Sequence, residues 1–413
     1  MSTGLCIGIE TPISDWSAND SIKELEELAI TAGINVIETI YQNREKPNQL
    51  SYVGKGKLCE IKEIITEKKI EIAIFDDELT PMQQRHVENE LQVKILDRTS
   101  LVLDIFSQRA RTKEAQIQIE LAQLEYLQPR LRRMWTHLSR LGGGIGTRGP
   151  GETQLEVDRR QIGRRIQKLK KDLEKVKKTR ENQRKKRVIT PYLTVALMGY
   201  TNAGKSTLHH CLTESNVLQE DKLFATLDPT TRRTKLPNND EVLITDTVGF
   251  IRKLPHQLID AFKATLEEVI YADLVIHVID CSNPHWHDLM LTSHNVLKQM
   301  NITINNEIIL FNKIDLAVDP VVTKHDCEQI SNIFISAKNQ TSKEKVMAII
   351  EKNLNQFKTE MIFKIPFNKM QYYALLHKKS NVLSTENTET EVILKCKINK
   401  ILGAKIMADL HRD

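Results

Sequence analysis

Residues Gly199-Tyr200-Thr201-Asn202-Ala203-Gly204-Lys205-Ser206 fit the pattern GxxxxGK[ST], and this octet constrains the fold more than any other stretch of the chain. Such a loop functions only between a strand and a helix. The apolar run Leu193–Met198 precedes it, and Lys205–Leu212 follows with helical spacing. Glycines allow backbone N–H groups to curl around phosphate oxygens, and the helix N-terminus adds its positive end. Lys205 is placed to meet the β/γ oxygens, Ser206 to ligate Mg²⁺, and Thr207 to follow in the first turn.

Three further pieces follow in order. Asp246-Thr247-Val248-Gly249 comes after the apolar run Val242–Thr245. There Asp246 can hold Mg²⁺ through water, and the Gly249 N–H can sense a γ-phosphate. Asn312-Lys313-Ile314-Asp315 ends another strand pattern, and Asp315 can accept from guanine N1–H and its exocyclic amine. Adenine offers no such donor pair, and an unmatched buried carboxylate costs kilocalories. Ser336-Ala337-Lys338 follows a third strand pattern, with the Ala337 N–H available to guanine O6. Each short motif alone is weak; their order and their places at strand ends make a GTP site. Phosphoryl transfer to water at such a site works by positioning and charge stabilisation, without a covalent intermediate.

The 413 residues exceed what one hydrophobic core usually serves. Strand patterns at Leu5–Ile9, Val36–Tyr41, Glu71–Phe75 and Val93–Leu96 alternate with helical ones at Ser21–Ala32, Lys55–Lys68 and Thr80–Leu91. This predicts a small parallel α/β domain over 1–109, closed by Thr99–Gln108. Gly54-Lys55-Gly56-Lys57 reads as a helix-initiating turn rather than a second phosphate loop. Over 110–188, Ile117, Leu121, Leu124 and Leu131 form one apolar seam, and Leu155, Ile162, Ile166, Leu169, Leu173 and Val176 a second in heptad register. They predict an antiparallel helical hairpin, its first helix bent at Pro129. Its tip, Leu141 to Glu152, is glycine-rich and flanked by Arg140 and Arg148. A G domain over 190–358 is expected to use Leu193–Met198, Val242–Thr245, Leu274–Ile279, Ile308–Phe311 and Ile333–Ile335 as buried parallel strands. A module over 359–413 reads strand, helix, strand, strand. The fold class is α/β: a parallel-sheet P-loop G domain, preceded by a small α/β domain and a long hairpin, followed by a small α+β module.

Charge is uneven along the chain. Arg130 to Arg187 holds 20 Lys/Arg against 6 Asp/Glu, so the remainder is acidic although the whole carries +5. A basic block of this kind serves either a polyanionic partner or the solvated face of a charged helix. No apolar run approaches the roughly 18–20 residues of a membrane helix. No basic segment precedes an apolar one near Met1, and the six cysteines are scattered, so a cytoplasmic protein with free thiols is expected.

Between the P-loop and Asp246 lies Phe224-Ala225-Thr226-Leu227-Asp228. With GYTNAGKST (199–207), DTVGF (246–250), and the run from Leu254-Pro255 through Ala261-Phe262 to Thr265-Leu266-Glu267-Glu268, this segment resembles the bacterial HflX GTPases. Asp97-Arg98-Thr99, Ala115 through Leu124 and Gly146 through Thr153 extend the likeness to most of the chain before about residue 340. The resemblance implies that Thr226 joins Ser206 on Mg²⁺ and that catalysis rests on Lys205, Thr226 and Gly249. It also implies a monomer that binds the 50S subunit and 23S rRNA according to nucleotide state, splitting or recycling stalled or idle ribosomes. Some relatives are described as also using ATP.

Many small GTPases place glutamine after DxxG to orient water, whereas this chain has Phe250. Slow intrinsic hydrolysis, raised by a partner, is the expected consequence. The rival readings are a regulatory GTP-binding protein acting on another protein, and an ATP-dependent RNA-remodelling factor. The second would need paired motor motifs that are not found. His285 and His287 flank Trp286 without a third ligand at useful spacing and read as surface loop, and Leu289–Met300 as a packing helix.

Overall fold

Apolar runs alternating with amphipathic ones give the amino-terminal part a parallel sheet. A computed structural model of the chain describes residues 2–12, 17–141, 154–187, 192–214, 223–224, 228–253, 258, 266–317, 333–339 and 341–411. By its internal packing the chain divides into two compact units. The first comprises Met1–Val176, Asp221–Leu227 and Arg252–Lys263, and the second Lys177–Glu220, Asp228–Ile251 and Ala264–Asp413.

In the first unit, β1 (Ser2–Glu10), β2 (Ile34–Asn43), β3 (Ile72–Phe75) and β4 (Lys94–Asp97) form one sheet in the order β2-β1-β3-β4. All its pairings are parallel. The central strand β1 is buried from Gly4 to Ile9, as a strand covered on both faces must be. Helices α1 (Ala18–Thr31), α2 (Lys55–Lys68), α3 (Pro81–Leu91) and α4 (Arg98–Arg109) alternate with the strands. Thr80 and Gln83 make a capping box at α3 with Pro81 in its first turn, and Asp97 with Ser100 does the same for α4. Gly54 starts α2 as the expected helix-initiating turn.

Charged side chains sit inside this unit. Arg98, only 1% exposed, donates to Asp76 Oδ1 at 2.6 Å and to Glu24. Asp76 also accepts from Ser21 Oγ at 2.6 Å and from Lys253 Nζ at 2.5 Å, and Lys253 pairs with Asp77 at 2.6 Å.

Two long helices follow, α5 (Lys113–Leu141) and α6 (Gln154–Arg187). Glu120–Arg165 at 2.6 Å and Glu125–Lys170 at 2.9 Å join them. The expected seam needs correction on α5. Among its described side chains Ala115, Ile117, Ile119, Ala122 and Tyr126 are the buried apolar ones, Leu121 and Leu124 are only half-buried, and Leu131 lies outside those described. The reason is that α5 packs on α3 and α4, while ion pairs join it to α6. Arg130 anchors it, donating to Leu79 O at 2.7 Å, Gln84 Oε1 at 2.9 Å and Asp97 Oδ2 at 3.3 Å. Its guanidinium lies 3.4 Å from the Tyr126 ring centroid. On α6, Ile166 and Leu169 of the expected seam are buried, Ile162, Leu173 and Val176 are half-buried, and the Leu155 side chain lies outside those described.

In the second unit, β5 (Leu193–Met198), β6 (Thr230–Lys235), β7 (Glu241–Asp246), β8 (Leu274–Asp280) and β9 (Glu307–Asn312) are ordered β6-β7-β5-β8-β9. Helices α7 (Lys205–Thr213), α8 (Trp286–Gln299) and α9 (Thr341–Leu354) accompany them. Two strand expectations are corrected. Ile333–Ile335 contributes only a bridge between Phe334 and Phe311, and the fifth strand is β6, antiparallel to β7. β6 reads Thr-Thr-Arg-Arg-Thr-Lys, a charged edge with no apolar alternation to reveal it.

The C-terminal part has β10 (Lys358–Pro366), α10 (Gln371–Lys379), β11 (Asn381–Asn387), β12 (Glu391–Asn399) and α11 (Lys400–Leu410). Its antiparallel sheet runs β10-β12-β11, over a core of Phe363, Ile365, Leu376, Leu394, Cys396, Ile398 and Ile406. The expected strand, helix, strand, strand is present, and the helix α11 is an addition to it. Among the described residues no helix is long and apolar enough to cross a membrane. Cys6, Cys59, Cys211 and Cys396 are free thiols, Cys281 Sγ donates to Asn312 O at 3.0 Å, and Cys327 lies outside the described residues.

Candidate functional site

The parallel strands of the second unit end together, and the motifs extend from those ends. β5 runs into Gly199 and the loop that opens α7 at Lys205. Gly199 has φ +144°, and a Cβ there would lie 2.2 Å from Val278 O. Gly204, at φ +90°, would collide with Asn312 Nδ2 at the same distance, so both positions need glycine. Thr201 N–H donates to Phe250 O at 2.8 Å, and Phe250 N–H to Gly199 O at 3.0 Å. The phosphate loop and the DTVGF loop are therefore stitched along their backbones. Thr247 Oγ1 adds a bond to Leu197 O at 2.6 Å, Val248 is buried, and Gly249 lies beside Thr201 and Lys205.

Lys205 is 6% exposed and donates to Tyr200 O at 2.7 Å. Burial lowers its ammonium to about 8, with Asp246 opposing and Lys313 adding to the shift. A polyanion beside it would restore the proton. Binding then takes up a proton above pH 8, and GTP affinity should fall about tenfold between pH 7 and pH 9. Calorimetric titration of GTP across that range, beside Lys205→Met, checks this; the variant should bind more weakly with a flatter profile.

Ser206 Oγ donates to Asp246 Oδ2 at 2.7 Å, bringing together the two residues expected around magnesium. Thr201 Oγ1 is buried without a hydrogen-bond partner among the described residues. Thr207 follows, half-buried, on α7.

Asn312 is the hub of the base side. Its Nδ2 donates to Ala203 O at 2.9 Å, and its Oδ1 accepts the Ala337 N–H at 2.9 Å. One side chain thus fixes the P-loop and the Ser336-Ala337-Lys338 loop. The Ala337 donor expected for guanine O6 is shared with Asn312 in this structure. Lys313, at φ +61°, pairs with Asp280 at 2.9 Å and reaches Asn202 Oδ1 at 3.5 Å. Ile314 packs on the Ile279–Phe311 cluster, and Asp315 is exposed in the short turn Ile314–Leu316. Ser336 is half-buried and Lys338 exposed.

Asp280 was missed in the sequence, although the signal was present: it ends β8 in register with Asn312. Phe250 is 2% exposed, so its ring is part of the packing. Phe224 belongs to the first unit, where its ring meets Phe106 edge-on at 4.5 Å. Asp228 is half-buried ahead of β6. Ala225, Thr226 and Leu227 lie outside the described residues, as do 254–257, 259–265 and the connection 142–153. His285 lies in the turn that precedes α8, as the loop expectation has it, whereas exposed His287 lies within the helix.

Three family models match the chain: a GTP-binding GTPase N-terminal region over residues 19–107, a GTP-binding GTPase middle region over 109–187, and a 50S ribosome-binding GTPase over 194–313. GTPase HflX of Caldanaerobacter subterraneus is 45% identical over 387 residues, covering 94% of this chain and 89% of that protein. The chain belongs to the HflX family of GTPases. GTPase HflX of Escherichia coli is 43% identical over 77% of this chain and 75% of its own length. A crystal structure of SsGBP in complex with GDP is 26% identical with a TM-score of 0.50, covering 86% of this chain and 99% of that one. As an HflX-family member, the protein is a GTP-binding GTP hydrolase.

Proposed function

We propose that the protein is a magnesium-dependent GTPase that binds the 50S ribosomal subunit through 23S rRNA and splits or recycles stalled or idle ribosomes. The observation that carries the RNA partner is the charge on α6. Arg159, Arg164, Lys168, Lys171 and Lys178 stand exposed along it. Arg165 and Lys170, by contrast, face Glu120 and Glu125 and contribute to packing the helices. The match to a 50S ribosome-binding GTPase model over 194–313 supports the same partner. The domains at 1–109, 110–188, 190–358 and 359–413 divide this labour.

Magnesium fits the residues present, because Ser206 Oγ and Asp246 Oδ2 offer two hard oxygens side by side at 2.7 Å. Ser206 and Thr226 would hold the ion directly and Asp246 through water. Bound there, it would supply charge neutralisation between the β- and γ-phosphates. The protein's own part is positioning. Loop N–H groups and Lys205 hold the phosphates, Gly249 senses the γ-phosphate, and Asp315 selects guanine. The buried apolar ring of Phe250 cannot hydrogen-bond an attacking water, so turnover waits on a partner.

GTP hydrolysis measured with and without 50S particles, with binding followed across a salt series, tests the proposal. Turnover should be slow alone and rise with 50S. Binding should weaken steeply with salt, and Lys168→Ala with Lys171→Ala should make the slope shallower by about one unit for each phosphate left without its cation. Fast hydrolysis indifferent to ribosomes, or an unaltered slope, overturns it. A flat slope in the wild-type protein favours a protein partner.

A further inference from the structure

Three residues far apart in sequence meet on the second unit. His277 lies on β8, His294 on α8, and Glu307 begins β9. His277 Nδ1 and His294 Nε2 each lie 3.0 Å from the same oxygen, Glu307 Oε1. The two rings stand edge to face, with centroids 5.0 Å apart at 87°. All three ligand atoms fall within 4.8 Å of one another, and no other such group of three is found among the described residues.

We propose that His277, His294 and Glu307 form a binding site for one first-row transition-metal ion of the zinc class. Zinc takes nitrogen at about 2.0–2.1 Å and carboxylate oxygen at about 2.0–2.2 Å, which puts tetrahedral donors about 3.3–3.4 Å apart. The two 3.0 Å separations need to open by only a few tenths of an ångström. Two imidazoles with one carboxylate suit zinc, cobalt or nickel, whereas magnesium and calcium prefer all-oxygen sets. On binding, each neutral ring carries its N–H on the nitrogen facing away from the ion. No electron is exchanged. The side chains of His294 and Glu307 are 35% and 23% exposed, so ions have a path from solvent and water a place as fourth ligand.

The elements make the site rigid: His277 is paired with Met198, the residue before the phosphate loop, and Glu307 lies at the far end of its strand from Asn312. β8 and β9 are paired, with Val275 opposite Glu307 and His277 opposite Ile309. Glu307 starts the strand that ends at Asn312, about 16 Å along at strand rise.

The test is titration of the metal-free full chain, saturated with GDP and excess magnesium, with Co²⁺. Tetrahedral cobalt absorbs strongly in the visible, and elemental analysis after dialysis counts the Zn²⁺ that replaces it. One equivalent should bind. Glu307→Gln and His294→Gln should each weaken binding at least tenfold, about the cost of losing a ligand or its support. His287→Ala, which alters an exposed histidine outside the cluster, should change nothing, and GDP affinity should be equal in all four proteins. His294→Gln keeps a donor for Glu307, so the fold persists in that variant. Absence of cobalt bands, or binding that survives His294→Gln, returns the three residues to a hydrogen-bonded packing triad and overturns the proposal.

Discussion

Asp315→Asn protein is expected to lose guanine nucleotides and gain xanthine nucleotides. The carboxylate would accept from guanine N1–H and the exocyclic amine, two bonds made to a charged group. Replacing it with an amide removes the charge and turns one acceptor into a donor that faces another donor. The loss should be about 3–5 kcal/mol, on the order of 10³ in GTP affinity. Xanthine carries a 2-oxo group where guanine has its amine, so the amide donor finds an acceptor. Asp315 is exposed in its turn, so the substitution leaves the fold intact. Competition binding with GTP, XTP and ATP measures the change. Undiminished GTP preference in the folded variant would sink the assignment.

The second large effect is on stability. Arg98→Met should leave Asp76 and Glu24 as buried carboxylates without their guanidinium. Removing one member of a buried ion pair costs about 3–5 kcal/mol. Scanning calorimetry should show the transition of the first unit falling by roughly 6–20 °C, while GDP affinity at equal folded fraction is unchanged. Adding Glu24→Gln should recover part of the loss, because one of the two carboxylates that lose the guanidinium no longer carries a charge. Asp76 keeps Ser21 and Lys253 as partners, so recovery does not depend on it. A loss under about 1 kcal/mol would mean that water reaches the network.

These two residues mark the boundary of what the sequence discloses. Asp315 was legible because its motif is local: four residues at a strand end, with the chemistry of the base written in their types. The strand–helix alternation was legible for the same reason, since β1 and β5 are buried on both faces and read as continuous apolar runs. Arg98 was legible only as part of a family likeness. Periodicity predicts charged side chains at the surface, and nothing local announces that Glu24, Asp76 and Arg98 converge. The polar edge strand β6 was lost through its lack of alternation. The shared Ala337 N–H could not be foreseen, because it depends on which way the Asn312 side chain turns. Asp280 could have been read, since it ends its strand as Asp246 and Asn312 end theirs.

Arg130 clamps a lever. Helix α5 spans 29 residues, about 43 Å, and eleven of them, about 16 Å, extend past the arginine. Its side chain is tied to Leu79, Gln84 and Asp97 and stacked on Tyr126, so the shaft cannot pivot at that point without breaking several bonds together. A shaft fixed in this way bends instead of swinging about the arginine. A sideways push of the kind a large partner would exert on the far end arrives at the root as torque. The parts that bear it are the two capped helix starts at Thr80 and Asp97, and through them the strand ends from which they spring.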